Sequence, residues 1–194
     1  IKVDSVRGDN LSAAERKAVA GLPLVDTTLR RSLGLARTEG NNALLAERIM
    51  RPALNLRGLR VGGVQELGSN TISTEAFASF DFRLVPNQTP ARVRELVEKH
   101  LRTTGWHIVS DTPSTSERLT HPRIARLQWE SGYPAQRAHM DDPFSRALVT
   151  AVSDGARTPP LLVPTLGGSG PSYLFTEVLG VPVVTLPIAN ADNN

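Results

Sequence analysis

The clearest pattern in the chain is an alternation of apolar and polar residues over residues 70–86. The even positions of this segment are mainly apolar, whereas Asp81 and Arg83 occupy odd positions. Because successive side chains of a β-strand point to opposite faces, a period of two predicts a strand with one buried and one polar face. Residues 53–61 alternate in the same way and predict a second strand, with a bulge or bend at Gly58.

Arg83 lies on the polar face of the first strand and has two interpretations. It is either a solvated charge beside Asp81 or a guanidinium held on a rigid strand to bind a carboxylate. The second interpretation is chemically attractive because the planar donors of arginine match the two oxygens of a carboxylate. The pattern alone leaves both open.

Helix signals occupy most of the remaining chain. Capping residues are followed by apolar positions three and four residues apart, which is the pattern of a helix with one buried face. The predicted helices are 12–21, 27–35, 42–50, 89–104, 142–155 and 171–179, and the further predicted strands are 106–110, 124–130, a short strand before Gly167, and 181–186.

The order of these elements predicts an α+β fold. Strand, helix and strand follow one another between residues 70 and 110, which is a crossover unit. With the 53–61 strand added, we expect a small sheet with helices on one face. A small sheet leaves its edge strands exposed, so edge-to-edge pairing between two copies is a reasonable route to a homodimer.

Composition restricts the function classes. The chain has 194 residues, of which 40% are apolar and 21% charged, and this balance is typical of a globular protein. Its 22 basic residues are dispersed and aromatic residues make up only 5%, which argues against nucleic-acid binding. The absence of cysteine excludes disulfides and thiolate metal sites and is compatible with the cytoplasm. No apolar run reaches the roughly 18 residues of a membrane span.

Two polar motifs have both a structural and a functional interpretation. Adjacent aspartates at 141 and 142 could bind a metal, but Asp142 stands where a helix N-cap is needed, and a structural role is favoured. The glycine-rich loop 167–170 precedes a predicted helix. Its backbone N–H groups and the Ser169 hydroxyl could form an anion site, or the loop could be a tight turn.

The four histidines lack the spacing of metal ligands, and the sequence shows no recognisable set of catalytic residues.

Three motifs, taken together, resemble a known enzyme family. They are the segment 70–86, the loop 167–171 and the closing segment 187–194. In order and spacing they resemble the dinuclear zinc peptidase family of acetylornithine deacetylase, succinyl-diaminopimelate desuccinylase, carboxypeptidase G and carnosine dipeptidase. The resemblance extends over roughly residues 45–194.

The resemblance implies a domain organisation. Residues 1–46 would be a helical linker segment, 47–137 a lid or dimerisation domain, and 138–194 the C-terminal α/β part of an incomplete catalytic domain. The two zinc ions of the parent enzyme, their ligands and the catalytic residues would lie in protein outside these 194 residues. The chain, which opens with Ile rather than Met, is therefore expected to be a fragment that is inactive alone and binds no metal.

The resemblance also implies a substrate site. Arg83 would hold a substrate carboxylate, Asn70 would donate a hydrogen bond near the scissile carbonyl, and Gly168 and Ser169 would meet the same carboxylate from the catalytic domain. The substrate would be a small peptide or an N-acyl amino acid, cleaved by a dipeptidase, carboxypeptidase or deacylase. The parent would be a cytoplasmic homodimer joined through its lid, with no nucleic-acid or membrane partner.

A different class of function also fits the residues. A non-catalytic dimerisation or carboxylate-binding module would use the same arginine and the same loop without any metal. Binding of a carboxylate in the absence of metal is the property that such a module would display.

Overall fold

The computed structural model describes residues 11–63, 65–86, 88–166 and 170–187. Within these residues the helices are α1 (Ala13–Ala20), α2 (Asp26–Ser32), α3 (Glu39–Asn42), α4 (Leu45–Arg48), α5 (Pro90–Thr103), α6 (Thr115–Thr120), α7 (Pro143–Ala156) and α8 (Tyr173–Val178). The strands are β1 (Ala53–Val61), β2 (Ala76–Arg83), β3 (His107–Val109) and β4 (Ile124–Arg126), and a 3₁₀ turn covers Gln65–Leu67. This mixture of helices and small sheets confirms the expected α+β class.

The four strands form two separate two-stranded sheets within the described residues. β1 and β2 are antiparallel, and the register shift beside Gly58 confirms the bulge expected there. β3 and β4 are parallel and are joined through α6. The expected single sheet is therefore wrong in detail, because β3 pairs with β4 and not with β2.

Local capping signals position three of the helices as the sequence predicts. Ser12 caps α1 by accepting a hydrogen bond from the Glu15 amide, and the Glu15 carboxylate bonds back to the Ser12 amide at 2.7 Å. Thr89 caps α5. Asp142 caps α7, where its carboxylate accepts from the Phe144 amide at 2.8 Å. The structural interpretation of Asp142 is therefore confirmed.

Other local predictions fail for identifiable reasons. The helix expected over 42–50 shrinks to α4, because Asn42 adopts a positive φ and Ala43 and Leu44 are extended. Residues 161–163 and 181–187 contain no strand, because neither segment has a sheet partner among the described residues. The short helix α6 was not predicted.

Few side chains of the described residues are buried. The buried apolar side chains of the described residues are those of Met50, Val85, Val93 and Val109. The distal half of the β1–β2 hairpin, by contrast, exposes large apolar side chains on both of its faces. No described helix is long and apolar enough to cross a membrane.

Candidate substrate-binding site

Arg83 ends β2 on the polar face of the hairpin. Its Nε donates a hydrogen bond to Oδ2 of Asp81 at 2.8 Å, and the side chains of Arg83 and Asp81 are 59% and 30% exposed. The two side chains share a face because they are two residues apart on a strand. Arg83 is thus paired with Asp81, and more than half of its side chain is exposed to solvent.

Arg83 and Asp81 both line a broad open concavity of about 2530 Å³. The hairpin, the connecting segment 131–140, part of α7 and residues 183–187 contribute to its walls. Its described lining contains nine arginines and four carboxylates, which is a formal excess of positive charge. This volume exceeds the roughly 300–1,000 Å³ of a closed small-molecule pocket, so the feature is a cleft open to solvent.

Asn70 lies elsewhere, in the exposed loop between β1 and β2. That loop is at the far end of β2 from Arg83, since Val61 pairs with Ala76 and Ala53 pairs with Arg83. Eight residues of extended strand separate the two ends by about 23 Å. The proposed joint action of Asn70 and Arg83 on one substrate stays a prediction.

Gly168 and Ser169 lie outside the described residues. The helix that follows them, α8, begins at Tyr173 rather than at Pro171, and Ser172 at its N-cap position makes no side-chain capping bond. The anion-binding interpretation of the glycine-rich loop stays a prediction.

The connecting segment 131–140 joins distant parts of the chain, which sequence reasoning did not detect. The sequence carries no local signal for the contacts of this segment, because the contacting residues are tens of residues apart in the chain. The contacts are an ion pair between Arg137 Nη1 and Glu15 Oε1 at 3.1 Å, a parallel stack of Tyr133 on Tyr173 with ring centroids 5.8 Å apart, and a 3.3 Å hydrogen bond from Gln136 Nε2 to the Val183 carbonyl. The segment therefore links α1, α8 and the chain beyond α8.

A second polar cluster lies on the β3–α6–β4 unit. Hydrogen bonds from the side chain and backbone of Ser114, and then from His107, lower the pKa of Glu117 to about 2. The rings of His107 and His121 are stacked with centroids 3.8 Å apart. Within the part of the chain that the structure describes, no group of three or more His, Cys, Asp or Glu side chains is arranged to hold a metal ion.

Comparison with known proteins identifies the class to which this hairpin and its neighbours belong. Residues 15–107 match the family model described as the peptidase dimerisation domain. A search of curated proteins gave no match. Among solved structures, the chain resembles a metallo-carboxypeptidase of the M20 family, Sso-CP2 from Sulfolobus solfataricus, with 26% identity and a TM-score of 0.67 over 93% of this chain.

Two further structures share the fold at 20% identity. They are the dipeptidase Dug1p from Saccharomyces cerevisiae, with a TM-score of 0.62 over 98% of this chain, and human carnosine dipeptidase 1, with a TM-score of 0.63 over 93%. The chain spans 38% of the lengths of Sso-CP2 and Dug1p and 37% of that of the human enzyme. The expected resemblance is confirmed: residues 15–107 match the peptidase dimerisation domain, and the chain resembles M20 metallopeptidases over part of their length.

Proposed function

We propose that this chain is the substrate-binding and dimerising part of a metal-dependent hydrolase of amide or peptide bonds. The observation that carries the proposal is Arg83, held at the end of β2 on the wall of a cleft rich in arginine. A small peptide or an N-acyl amino acid has the free carboxylate that such a group binds. The family relationship supports the hydrolytic reaction class, and a cytoplasmic setting is part of the proposal.

The role assigned to Arg83 is to hold the substrate, not to react with it. A carboxylate bound by two parallel N–H groups is fixed in position and orientation, and this places the neighbouring amide bond at a defined distance. Gly168 and Ser169 are proposed to meet the same carboxylate from the side of the catalytic domain. Asn70, in the loop between β1 and β2, is proposed to donate a hydrogen bond near the scissile carbonyl.

Zinc is proposed as the metal of the complete enzyme, where two ions would activate water and polarise the scissile carbonyl. The described residues offer no cluster that fits these ions, so no chemical step is assigned to this chain. We expect the 194-residue chain to bind carboxylates and to lack hydrolytic activity.

Isothermal titration calorimetry with N-acetylglycine tests the binding role. Charge-assisted hydrogen bonds contribute about 1.5–3 kcal/mol, so Arg83→Ala should weaken binding roughly 10- to 150-fold. Arg92→Ala is a matched control, because Arg92 is 65% exposed and forms an ion pair with Glu95 at the same 2.8 Å distance. An unchanged affinity in Arg83→Ala would overturn the proposal.

Hydrolysis supplies the second arm of this test. The purified chain, supplied with zinc, is incubated with dipeptides and N-acyl amino acids. If it cleaved them at a rate that Arg83→Ala did not change, the assignment of this chain to substrate binding in a larger hydrolase would be wrong.

A non-catalytic dimerisation module is the second candidate, and a specific observation favours it. The matched family model is a dimerisation domain, and the distal hairpin exposes Leu59 and Phe77 to 65% and 44%. An isolated two-stranded hairpin is marginally stable in water, so these side chains need a partner surface. A second copy of this chain is the proposed partner.

A further inference from the structure

We propose that Asp81 is a positioning residue that fixes the guanidinium of Arg83 for one incoming carboxylate. The inference rests on the proposed substrate-binding function and assigns to Asp81 a role which that function does not require. Its starting point is the 2.8 Å hydrogen bond from Arg83 Nε to Asp81 Oδ2.

Because Nε is the donor in this bond, the N–H groups of Nη1 and Nη2 remain available to a ligand. A guanidinium carries five N–H donors, one on Nε and four on the two Nη atoms. Within the described residues, the bond from Nε to Asp81 is the one hydrogen bond of the Arg83 side chain. The Nη1–Nη2 edge keeps its two parallel N–H groups, which can donate two hydrogen bonds to the two oxygens of a carboxylate.

The surroundings of Asp81 suit it to this role. Asp81 is half as exposed as Arg83 and sits inside β2, paired with Asn55 of β1. The strand position opposite Arg83 is Ala53, whose small side chain brings no competing hydrogen-bond group. Asp81 is thus the better-ordered partner of the pair, and it restrains an otherwise flexible arginine.

Restraint before binding raises affinity, because a long side chain that is already ordered loses less conformational freedom when the ligand arrives. Asp81 also carries a negative charge, which repels the ligand carboxylate. The ligand carboxylate would lie farther from Asp81 than from Arg83. The repulsion between the two carboxylates is also screened by solvent at this exposed position. We therefore infer that the ordering effect is larger than the repulsion.

The ordering effect and the repulsion predict changes of opposite sign in the affinity of Asp81→Ala for N-acetylglycine. If the Asp81–Arg83 bond were only a solvated ion pair, Asp81→Ala would free the arginine and remove a repulsive charge, so N-acetylglycine would bind more tightly. If Asp81 positions Arg83, Asp81→Ala weakens binding about 3- to 10-fold. Asp81→Asn keeps an oxygen that accepts from Nε and restores most of the affinity.

The experiment is calorimetry of N-acetylglycine with the 194-residue chain and the variants Asp81→Ala, Asp81→Asn, Arg83→Ala and the Asp81→Ala, Arg83→Ala double variant. We expect no additional loss from Asp81→Ala in the Arg83→Ala background, because the effect passes through Arg83. N-acetylglycinamide, which has no carboxylate, is the control ligand and should bind wild type and variants equally weakly.

The outcomes separate this inference from the function on which it rests. An unchanged affinity in Arg83→Ala overturns the substrate-binding role itself. A loss in Arg83→Ala combined with equal or tighter binding in Asp81→Ala overturns only the positioning role of Asp81.

A direct readout of the side chain covers the case in which Asp81→Ala disturbs folding. In ¹⁵N NMR spectra, the Arg83 Nε–H signal should exchange slowly with water in the wild type and in Asp81→Asn. Exchange that is equally fast in the wild type and in an exposed arginine without an Nε acceptor would overturn the proposal.

Discussion

Glu117 illustrates how a few hydrogen bonds set the charge state of a single carboxylate. Its Oε2 accepts from both the amide and the hydroxyl of Ser114, at 2.8 and 2.7 Å, and its Oε1 lies 3.3 Å from His107 Nε2. All of these contacts favour the ionised form, which explains why the pKa of Glu117 falls from 4.5 to about 2. The residue thereby couples the start of α6 to β3.

The direction of this shift predicts a pH dependence. A carboxyl group whose folded-state pKa is lowered stabilises the fold above its unfolded pKa, and the contribution is lost as the pH falls through the folded value. The contribution of Glu117 should therefore be complete above about pH 4.5 and decline towards pH 2. Urea unfolding of the wild type and of Glu117→Gln across this range measures it: the two should differ at pH 6 and converge near pH 2.

A second experiment isolates the main cause of the shift. Ser114→Ala removes the hydroxyl donor and should raise the pKa of Glu117 towards 4.5, as read from a ¹³C NMR titration of its carboxyl carbon. Ser116→Ala, two residues along in α6, is the control and should leave that pKa unchanged. A Glu117 pKa that stays near 2 in Ser114→Ala would assign the shift to other contacts.

Glu15 and Arg137 form a different kind of pair, because both side chains are withdrawn from water. Their exposures are 2% and 8%, and the facing atoms are 3.1 Å apart. Breaking such a pair leaves a buried charge behind, so Arg137→Ala should lower the free energy of unfolding by about 3–5 kcal/mol. Arg92→Ala, which breaks a surface pair, should cost less than about 1 kcal/mol. Urea unfolding measures the free energy lost in each variant. Equal losses in Arg137→Ala and Arg92→Ala would contradict the argument from burial.

At the scale of elements, helix starts follow from short local motifs. α7 begins where Asp142 accepts from the Phe144 amide and Pro143 occupies the first helical position. The same reasoning should have found α6, because Ser114 and Glu117 form the capping box that marks its start. These signals are readable because donor and acceptor are at most three residues apart.

Capping also yields a prediction for α7. Asp142→Ala should lower the free energy of unfolding by about 0.5–2 kcal/mol, because the Phe144 amide loses its acceptor. Asp142→Asn retains an acceptor and should cost less. Asp141→Ala is the neighbouring control and should have little effect in the same urea titration. A larger loss in Asp141→Ala than in Asp142→Ala would show that the two aspartates have been assigned the wrong roles.

The sheets, in contrast, depend on partners far along the chain. The alternation in β2 predicts which faces are apolar and polar, but it does not determine the strand to which β3 is hydrogen-bonded. Residues 181–187 have the composition of a strand and form none in the described chain, since a strand requires a neighbour that supplies hydrogen-bonding groups. Strand propensity and strand pairing are separate properties.

The whole molecule exposes far more surface than a compact protein of its size. Its accessible surface is 15205 Å² for 21.0 kDa, whereas a compact monomer of that mass exposes about 9,000 Å². Exposed apolar side chains are frequent on the hairpin and around α8. This surface agrees with the proposed contacts with other parts of a larger protein and with a second copy.

Dimerisation is a property of the whole molecule, and a substitution in the hairpin tests it. Leu59 on β1 is 65% exposed, and Leu59→Glu should shift the chain towards the monomer, because a charge buried in the proposed interface is unpaired. Leu119→Glu is the control, since Leu119 is 84% exposed on α6, away from the hairpin. Sedimentation velocity over a range of concentrations distinguishes the two variants. Identical behaviour of wild type and Leu59→Glu would exclude the hairpin as the contact surface.

The sequence by itself determined the helix starts at Ser12, Thr89 and Asp142, the irregularity at Gly58 and the resemblance to the M20 metallopeptidases. Each of these depends on residues close together in the chain or on the order of short motifs. Only the tertiary structure decided that Arg137 meets Glu15 and that β3 pairs with β4. It also placed Asn70 at the opposite end of the hairpin from Arg83. Such contacts depend on the path of the chain through space, which no local pattern encodes.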